Sequence, residues 1–357
     1  MAIQTNVLNQ LITKNLLYVK TTRKNMNQKT IVQQSIKSNF CNLSEGAPIS
    51  YVLIDKRLLK VGDHINFSLF FNDALTHMSL FLQSDTVIDE EHRRKLKEIE
   101  RLYVHQNEKS VYETFVEEEL QRTVEDASLS LNEKVDIIYS STSQLTDSLY
   151  KNPDALENVQ RSKKIIEPII ETIFHNEKTI KSFIKIIGYD YYTHTHSLNV
   201  SIYALCLGSE MGLNEKKLND LGCAALLHDL GKSGIEHNII NKHGALSQDE
   251  FEKMKKHPSL GYEIALNIGI KNKDILDGIR HHHEKLDGNG YPDGLKDKEI
   301  TLFPRIIGVC DVFDALTTKR SYKAAIHSYD AIYIMKTRMP KHLDINIIDT
   351  FIKMLHD

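Results

Sequence analysis

The chain has 357 residues, a formal charge of −3, 41% hydrophobic and 26% charged residues, the ordinary make-up of a globular protein of one large or two smaller domains. Its near-neutral balance gives no reason to expect nucleic acid or a membrane surface as partner, and no apolar run reaches the roughly 18 residues of a spanning helix, so no membrane insertion is expected. The N-terminus lacks a secretory layout, and Cys41, Cys206, Cys223 and Cys310 have no CxxC spacing; a cytoplasmic location is expected.

Residues 1–45 form a polar arm rich in Asn, Gln, Thr and Lys. Val7, Leu8, Leu11 and Ile12 keep helical spacing there, so the arm holds either one short helix or mobile chain. Residues 46–126 read as a small α+β module with a regulatory or sensory role. Strands are expected at 51–54, 65–71 and 78–82, with a turn at Gly62-Asp63 and the alternation Ile65, Phe67, Leu69 marking one buried face. A helix with Leu96, Ile99 and Leu102 spaced by threes follows, then Leu102-Tyr103-Val104, then a helix carrying Tyr112, Phe115, Val116 and Leu120. His64, His77, His92 and His105 stand isolated and read as surface residues.

Residues 127–160 read as a helical linker. Apolar-periodic runs at 131–150 and 154–187 are broken at Asn152-Pro153. Pro168 either kinks the second run or opens a new helix. These helices, or the N-terminal ones, offer a surface for a homodimer.

From 161 to 357 only helical patterns remain, and five of them bring inward-looking His or Asp groups. His196 shares a face with Val200, Tyr203 and Leu207. His228, Asp229 and Lys232 lie on the stripe of Leu218, Leu221 and Ala225. His257 precedes Pro258, which suits the first helical position. His282 and His283 border the stripe of Ile275 and Ile279, while His281 falls away from it. Asp311 and Asp314 line one face with Ile307 and Ala315. His194, His237 and His243 read as bystanders. Buried charge is costly unless paired or metal-bound, so these helices need one another.

Five imidazoles and one or two carboxylates, with no thiolate, exceed the four ligands of a tetrahedral zinc. They suit two octahedral ions sharing a carboxylate, with iron, manganese or zinc as the metal. Ions about 3.5–4 Å apart can hold a bridging hydroxide and clamp a phosphate, which points to phosphoester hydrolysis. Gly231-Lys232-Ser233 is no phosphate loop, because Leu226 stands where its first glycine is required. The segment from Asp287 lacks a calcium loop's ligands at Tyr291 and Lys298, and Gly288, Gly290 and Gly294 do not form a dinucleotide fingerprint.

His228-Asp229 with Gly231-Lys232, then His257-Pro258, then His282-His283-Glu284 through Asp287-Gly288-x-Gly290-Tyr291-Pro292, resembles the HD-GYP family of bacterial cyclic di-GMP phosphodiesterases, a branch of the all-helical HD superfamily. The resemblance covers about 161 to the C-terminus. It implies a multi-domain chain, the small α+β module followed by an all-α HD-GYP catalytic domain. It also implies hydrolysis of cyclic di-GMP to pGpG by a metal-bridging hydroxide, and leaves open whether pGpG is cut on to GMP. Two divalent ions, iron or manganese, are implied: one on His196, His228, Asp229 and Asp311, the other on Asp229, His257, His282 and His283. Lys232 would stabilise phosphoryl charge or assist proton transfer beside Asp229. Tyr291, Asp314, Arg320 and Lys323 would meet substrate, and the Gly-Tyr-Pro loop would also dock a signalling partner. Two departures stand out: Ser321 replaces a proline of the family's Arg-Pro-Tyr-Lys-like segment at Arg320, Tyr322 and Lys323, and Tyr192 stands where members with a third metal carry Glu. The alternatives are a cyclic-dinucleotide sensor that does not turn over, and an HD hydrolase for another nucleotide.

Overall fold

The structure is a computed structural model that describes residues 51–74, 77–175, 179–187, 195–242, 244–318 and 326–356. The arm at 1–45 lies outside the described residues, as do Tyr192, His194, His243, Arg320, Ser321, Tyr322 and Lys323. The chain divides into two compact units, Met1–Val116 and Glu117–Asp357.

In the first unit, branched and aromatic residues build an antiparallel sheet. Strands β1 (Tyr51–Ile54), β2 (His64–Ile65), β3 (Leu69–Ala74), β4 (His77–Leu82), β5 (Thr86–Val87) and β6 (Leu102–His105) occur in that chain order. The four-stranded sheet runs β1-β6-β3-β4, with Tyr51 opposite His105 and Leu69 opposite Val104, while β2 and β5 pair separately. The strand expected at 65–71 is therefore two. Ile65, Phe67 and Leu69 are all buried, so the alternation holds, but the hydrogen-bond partner changes from β5 to β6 between them. Helix α1 (Glu90–Glu98) starts on a capping box in which Asp89 accepts from the His92 N–H. It stops before Ile99, which is extended, and Leu102 enters β6, so the spacing by threes does not mark one helix. Helix α2 (Lys109–Glu125) begins in this unit and seats Tyr112 edge-on to Phe67, ring centroids 5.5 Å apart.

In the second unit every regular element described from α3 onward is helical. Ser130 and Glu133 cap α3 (Leu131–Lys151), which ends at Asn152 before Pro153, as the proline requires. Residues 154–187 hold α4 (Asn158–His175) and α5 (Thr179–Ile187), and Pro168 lies inside α4 rather than opening a helix. Then come α6 (His196–Glu210), α7 (Glu215–Leu227), a 3₁₀ turn (Leu230–Gly234), α8 (His237–Ile240), α9 (Gln248–Met254), α10 (His257–Asn267), α11 (Lys273–His281), α12 (Leu302–Thr317), α13 (Ser328–Arg338) and α14 (Ile345–His356). Every residue of α6 from Ser197 to Gly208 is buried, because α3, α5, α7, α12 and α14 all pack on it. That central position explains why an otherwise apolar helix can hold a histidine at its first turn in contact with groups from several others. No helix among the described residues is long and apolar enough to cross a membrane.

Candidate metal centre

The helix ends of this unit bring the expected side chains together. His228 follows the last residue of α7, His257 opens α10, His282 follows α11, and Asp311 sits inside α12. Two groups of potential ligands result. Ligand atoms of Asp229, His257, His282 and His283 lie within 4.8 Å of one another, and so do those of His196, His228 and Asp311. Asp229 stands between the groups. Its Oδ1 is 3.3 Å from His257 Nε2, and its Oδ2 is 3.4 Å from His228 Nε2 and 3.6 Å from His196 Nε2. His196 Nε2 is 3.2 Å from Asp311 Oδ1, and His283 Nδ1 is 3.8 Å from Asp311 Oδ2.

The imidazoles are oriented by a repeated local device. Nδ1 of His228, His257 and His282 each meets the backbone carbonyl three residues earlier: Ala225 at 2.7 Å, Met254 at 2.8 Å and Ile279 at 2.8 Å. A carbonyl can only accept, so each Nδ1 carries the proton and each Nε2 presents a lone pair inward. His196 Nδ1 likewise meets Asp314 Oδ2 at 2.6 Å. Such outer hydrogen bonds fix the tautomer and direction of a metal-binding histidine.

Charge favours cation binding. Burial alone would raise the Asp229 carboxyl, but Lys232 and His228 outweigh it and hold it well below the usual carboxylate range. Burial opposes ionisation of Asp311 too, and the hydrogen-bonding contact with His196 overcomes it. Burial, reinforced by neighbouring imidazoles, holds His282 and His283 well below the usual histidine range, and burial also lowers His257. Neutral imidazoles and ionised carboxylates are the ligand forms that metals take.

The arrangement fits divalent ions on its own geometry. Nε2 of His257 and His282 are 3.3 Å apart, with neither tautomer supplying a proton between them. His228 Nε2 and Asp229 Oδ1 are buried acceptors with no hydrogen-bond partner among the described residues. Buried lone pairs facing one another call for a cation.

Close backbone packing brings the pieces into register. A Cβ on Gly231 would stand 2.0 Å from the His257 carbonyl oxygen and 2.3 Å from the Gly261 nitrogen. Only glycine lets the turn after Asp229 touch the start of α10. Lys232, on that turn, donates to Asp229 Oδ2 and remains partly exposed.

The Gly-Tyr-Pro loop is fastened at its base. The Glu284 carboxylate accepts from the backbone N–H groups of Asp293 (2.7 Å), Gly294 (3.0 Å) and Leu295 (3.1 Å). Arg280 forks onto Asp293 at 2.8 and 2.9 Å, and His281 bridges Asp293 and Asp277. A Cβ on Gly290 would fall 2.4 Å from Glu284 Cα. Tyr291, which a cis peptide bond joins to Pro292, lies against His283 with ring centroids 4.8 Å apart. Burial keeps its phenol protonated, so it can donate beside the centre.

Asp314, expected at the substrate, is fully buried, and besides His196 it accepts from Asn199 Nδ2 at 3.2 Å and Thr318 Oγ1 at 3.0 Å. Arg320 and Lys323, also expected at the substrate, lie outside the described residues. Sequence reasoning missed Asn199, Glu284 as the loop's anchor, and the tyrosines of α3, of which Tyr150 donates to the Leu226 carbonyl at 2.7 Å. Asn199, one turn after His196 on an apolar helix, was the signal available for the first.

A family model described as HD domain matches residues 141–347, over half of the chain. A cyclic di-GMP phosphodiesterase of Pseudomonas aeruginosa is 32% identical over 189 residues, 53% of this chain and 45% of the relative. A 3′3′-cGAMP-specific phosphodiesterase of Vibrio cholerae is 36% identical over 154 residues, 43% of this chain and 33% of the relative. The chain thus spans less than half the length of these relatives. The solved structure of a HDG"Y"P protein from Bdellovibrio bacteriovorus superposes with a TM-score of 0.63 at 21% identity, covering 86% of this chain and all of that one, a likeness of fold.

Proposed function

The chain belongs to the HD domain family, and from that premise we propose that it is a metal-dependent phosphodiesterase that opens cyclic di-GMP to linear pGpG. The observation that carries the reading is the placement of Asp229 between two groups of inward-facing ligands. His196, His228, Asp229 and Asp311 would hold one divalent ion, and Asp229, His257, His282 and His283 the other. A nitrogen and oxygen donor set without thiolate suits iron or manganese. Bound ions would supply Lewis acidity and an activated water for attack on phosphorus.

The chain's own residues would do the rest. Lys232, bonded to Asp229 and partly exposed, can place its ammonium against a phosphoryl oxygen as charge builds there. Tyr291 can donate its phenolic proton to a phosphate or base, and its ring excludes water from one face of His283. Arg320 and Lys323 belong to this reading as phosphate or base contacts by resemblance.

A second reading concerns the base. The 3′3′-cGAMP-specific relative makes a hybrid cyclic dinucleotide the alternative substrate for the same site. Side-by-side turnover of cyclic di-GMP and 3′3′-cGAMP by manganese-loaded protein tests both. Faster conversion of cyclic di-GMP supports the first reading, faster conversion of the hybrid supports the second, and no conversion of either rejects the hydrolase.

A further inference from the structure

Buried on the far side of His196 is a line of side chains that begins on α3. The Tyr139 hydroxyl donates to Asn199 Oδ1 at 2.7 Å, Asn199 Nδ2 donates to Asp314 Oδ1 at 3.2 Å, and Asp314 Oδ2 accepts from His196 Nδ1 at 2.6 Å. Asn199 and Asp314 are fully buried, and Tyr139 nearly so. We propose that Tyr139 is a positioning residue of the metal centre, setting the orientation of His196 through Asn199 and Asp314.

The direction of each hydrogen bond follows from chemistry. A carboxylate offers only acceptors, so Asn199 must turn its amide nitrogen toward Asp314. Its carbonyl oxygen then faces Tyr139, whose hydroxyl has to donate. Without that donor the amide oxygen is left buried and unsatisfied, so the amide shifts to find another partner and its hold on the carboxylate loosens. Asp314 would lose one of its three donors, and His196 would lose the fixed acceptor that holds its ring. A buried polar chain of this kind is stable only when every member is satisfied.

Tyr139 lies just before the span that the family model matches, on a helix that sequence reasoning took for a linker. The proposal rests on the metal-centre reading and goes beyond it by giving α3 a part in that centre.

The test is manganese affinity of the full chain by chelator competition, together with thermal unfolding of the metal-free protein. Tyr139→Phe should weaken binding of one ion about tenfold, the range for outer partners of a ligand. Its metal-free unfolding midpoint should fall by only a few degrees, about the cost of one lost buried hydrogen bond, with cooperative unfolding retained. Tyr203→Phe removes a buried hydroxyl from α6 in the Phe313 and Phe351 cluster, and should leave affinity unchanged. Asp314→Asn should weaken the same ion, and adding Tyr139→Phe to it should cost less than about twofold more, because both act through one line. Parent-like affinity in Tyr139→Phe, or additive losses in the double variant, would overturn the positioning role while the metal reading stands. A parent chain that binds no manganese would overturn both.

Discussion

Nε2 of His257 and Nε2 of His282 face each other across 3.3 Å, each with its proton held on the opposite side of the ring by a backbone carbonyl. Two buried lone pairs so placed repel until a cation separates them. Metal binding and folding are therefore linked in this unit, and an ion that binds only the folded state stabilises it by mass action. Manganese at about a hundred times its dissociation constant should stabilise the protein by about 2.7 kcal/mol, read as a rise in melting temperature. His282→Ala should abolish most of that rise. An equal rise in both proteins would place the bound ion elsewhere.

His228→Ala and Asp229→Ala remove ligands shared with or adjacent to both groups. Either should abolish turnover and lower the metal content measured by elemental analysis. Normal metal content in Asp229→Ala would remove it from the bridging position.

Lys232 touches Asp229 but is not a ligand, since its ammonium has no lone pair. Lys232→Ala should slow turnover about 10²–10³-fold, the effect of deleting one donor to a developing anion, with metal content at the parent level. Metal loss equal to that of Asp229→Ala would reassign the lysine to holding the carboxylate in place.

Gly231→Ala inserts a Cβ into the contact between the turn and α10. Overpacking against backbone costs about 1–3 kcal/mol, and here relief must move His257 away from Asp229. The expected outcome is lower stability by denaturant titration, with metal affinity falling as well. Unchanged affinity would show that the backbone adjusts without shifting the ligand.

Asp293 supplies a pH-dependent fastening of the Gly-Tyr-Pro loop. Hydrogen bonding by Arg280, helped by His281, lowers its carboxyl from 3.8 to about 2. A carboxylate depressed in the folded state contributes stability that is present above its unfolded value and lost as pH falls toward its folded one. The stability difference between parent and Asp293→Asn should stay level from about pH 4 up to the pH at which His281, raised by Asp277 and Asp293 against its burial, gives up its proton, and should shrink as pH falls toward 2. Hydrogen exchange at 291–295 should be faster in the variant at neutral pH. Matching exchange in the two proteins would assign the loop's order to Glu284 alone.

The side chains proposed to hold metal are legible because chemistry marks them: a histidine or aspartate on an apolar stripe is conspicuous, as at His196, His228, Asp229, His282, His283 and Asp311, and His257 is marked by the proline that follows it. Their supporting residues were not. Tyr139 and Asn199 carry no metal-ligand signature, and their importance arises only when α3 and α6, far apart in sequence, are packed together. For Asp314, periodicity gives a face but not the partners on it: His196, Asn199 and Thr318 close around it. In the first unit, alternation recovered the buried side of Ile65, Phe67 and Leu69 but carried no information on which strand each pairs with.

We propose that this centre hydrolyses a cyclic dinucleotide through bound divalent ions. Chromatography of cyclic di-GMP incubated with manganese-reconstituted protein, with and without chelator, tests it most directly. pGpG should accumulate and chelator should stop it; cyclic di-GMP recovered intact from the metal-loaded protein would overturn the hydrolase.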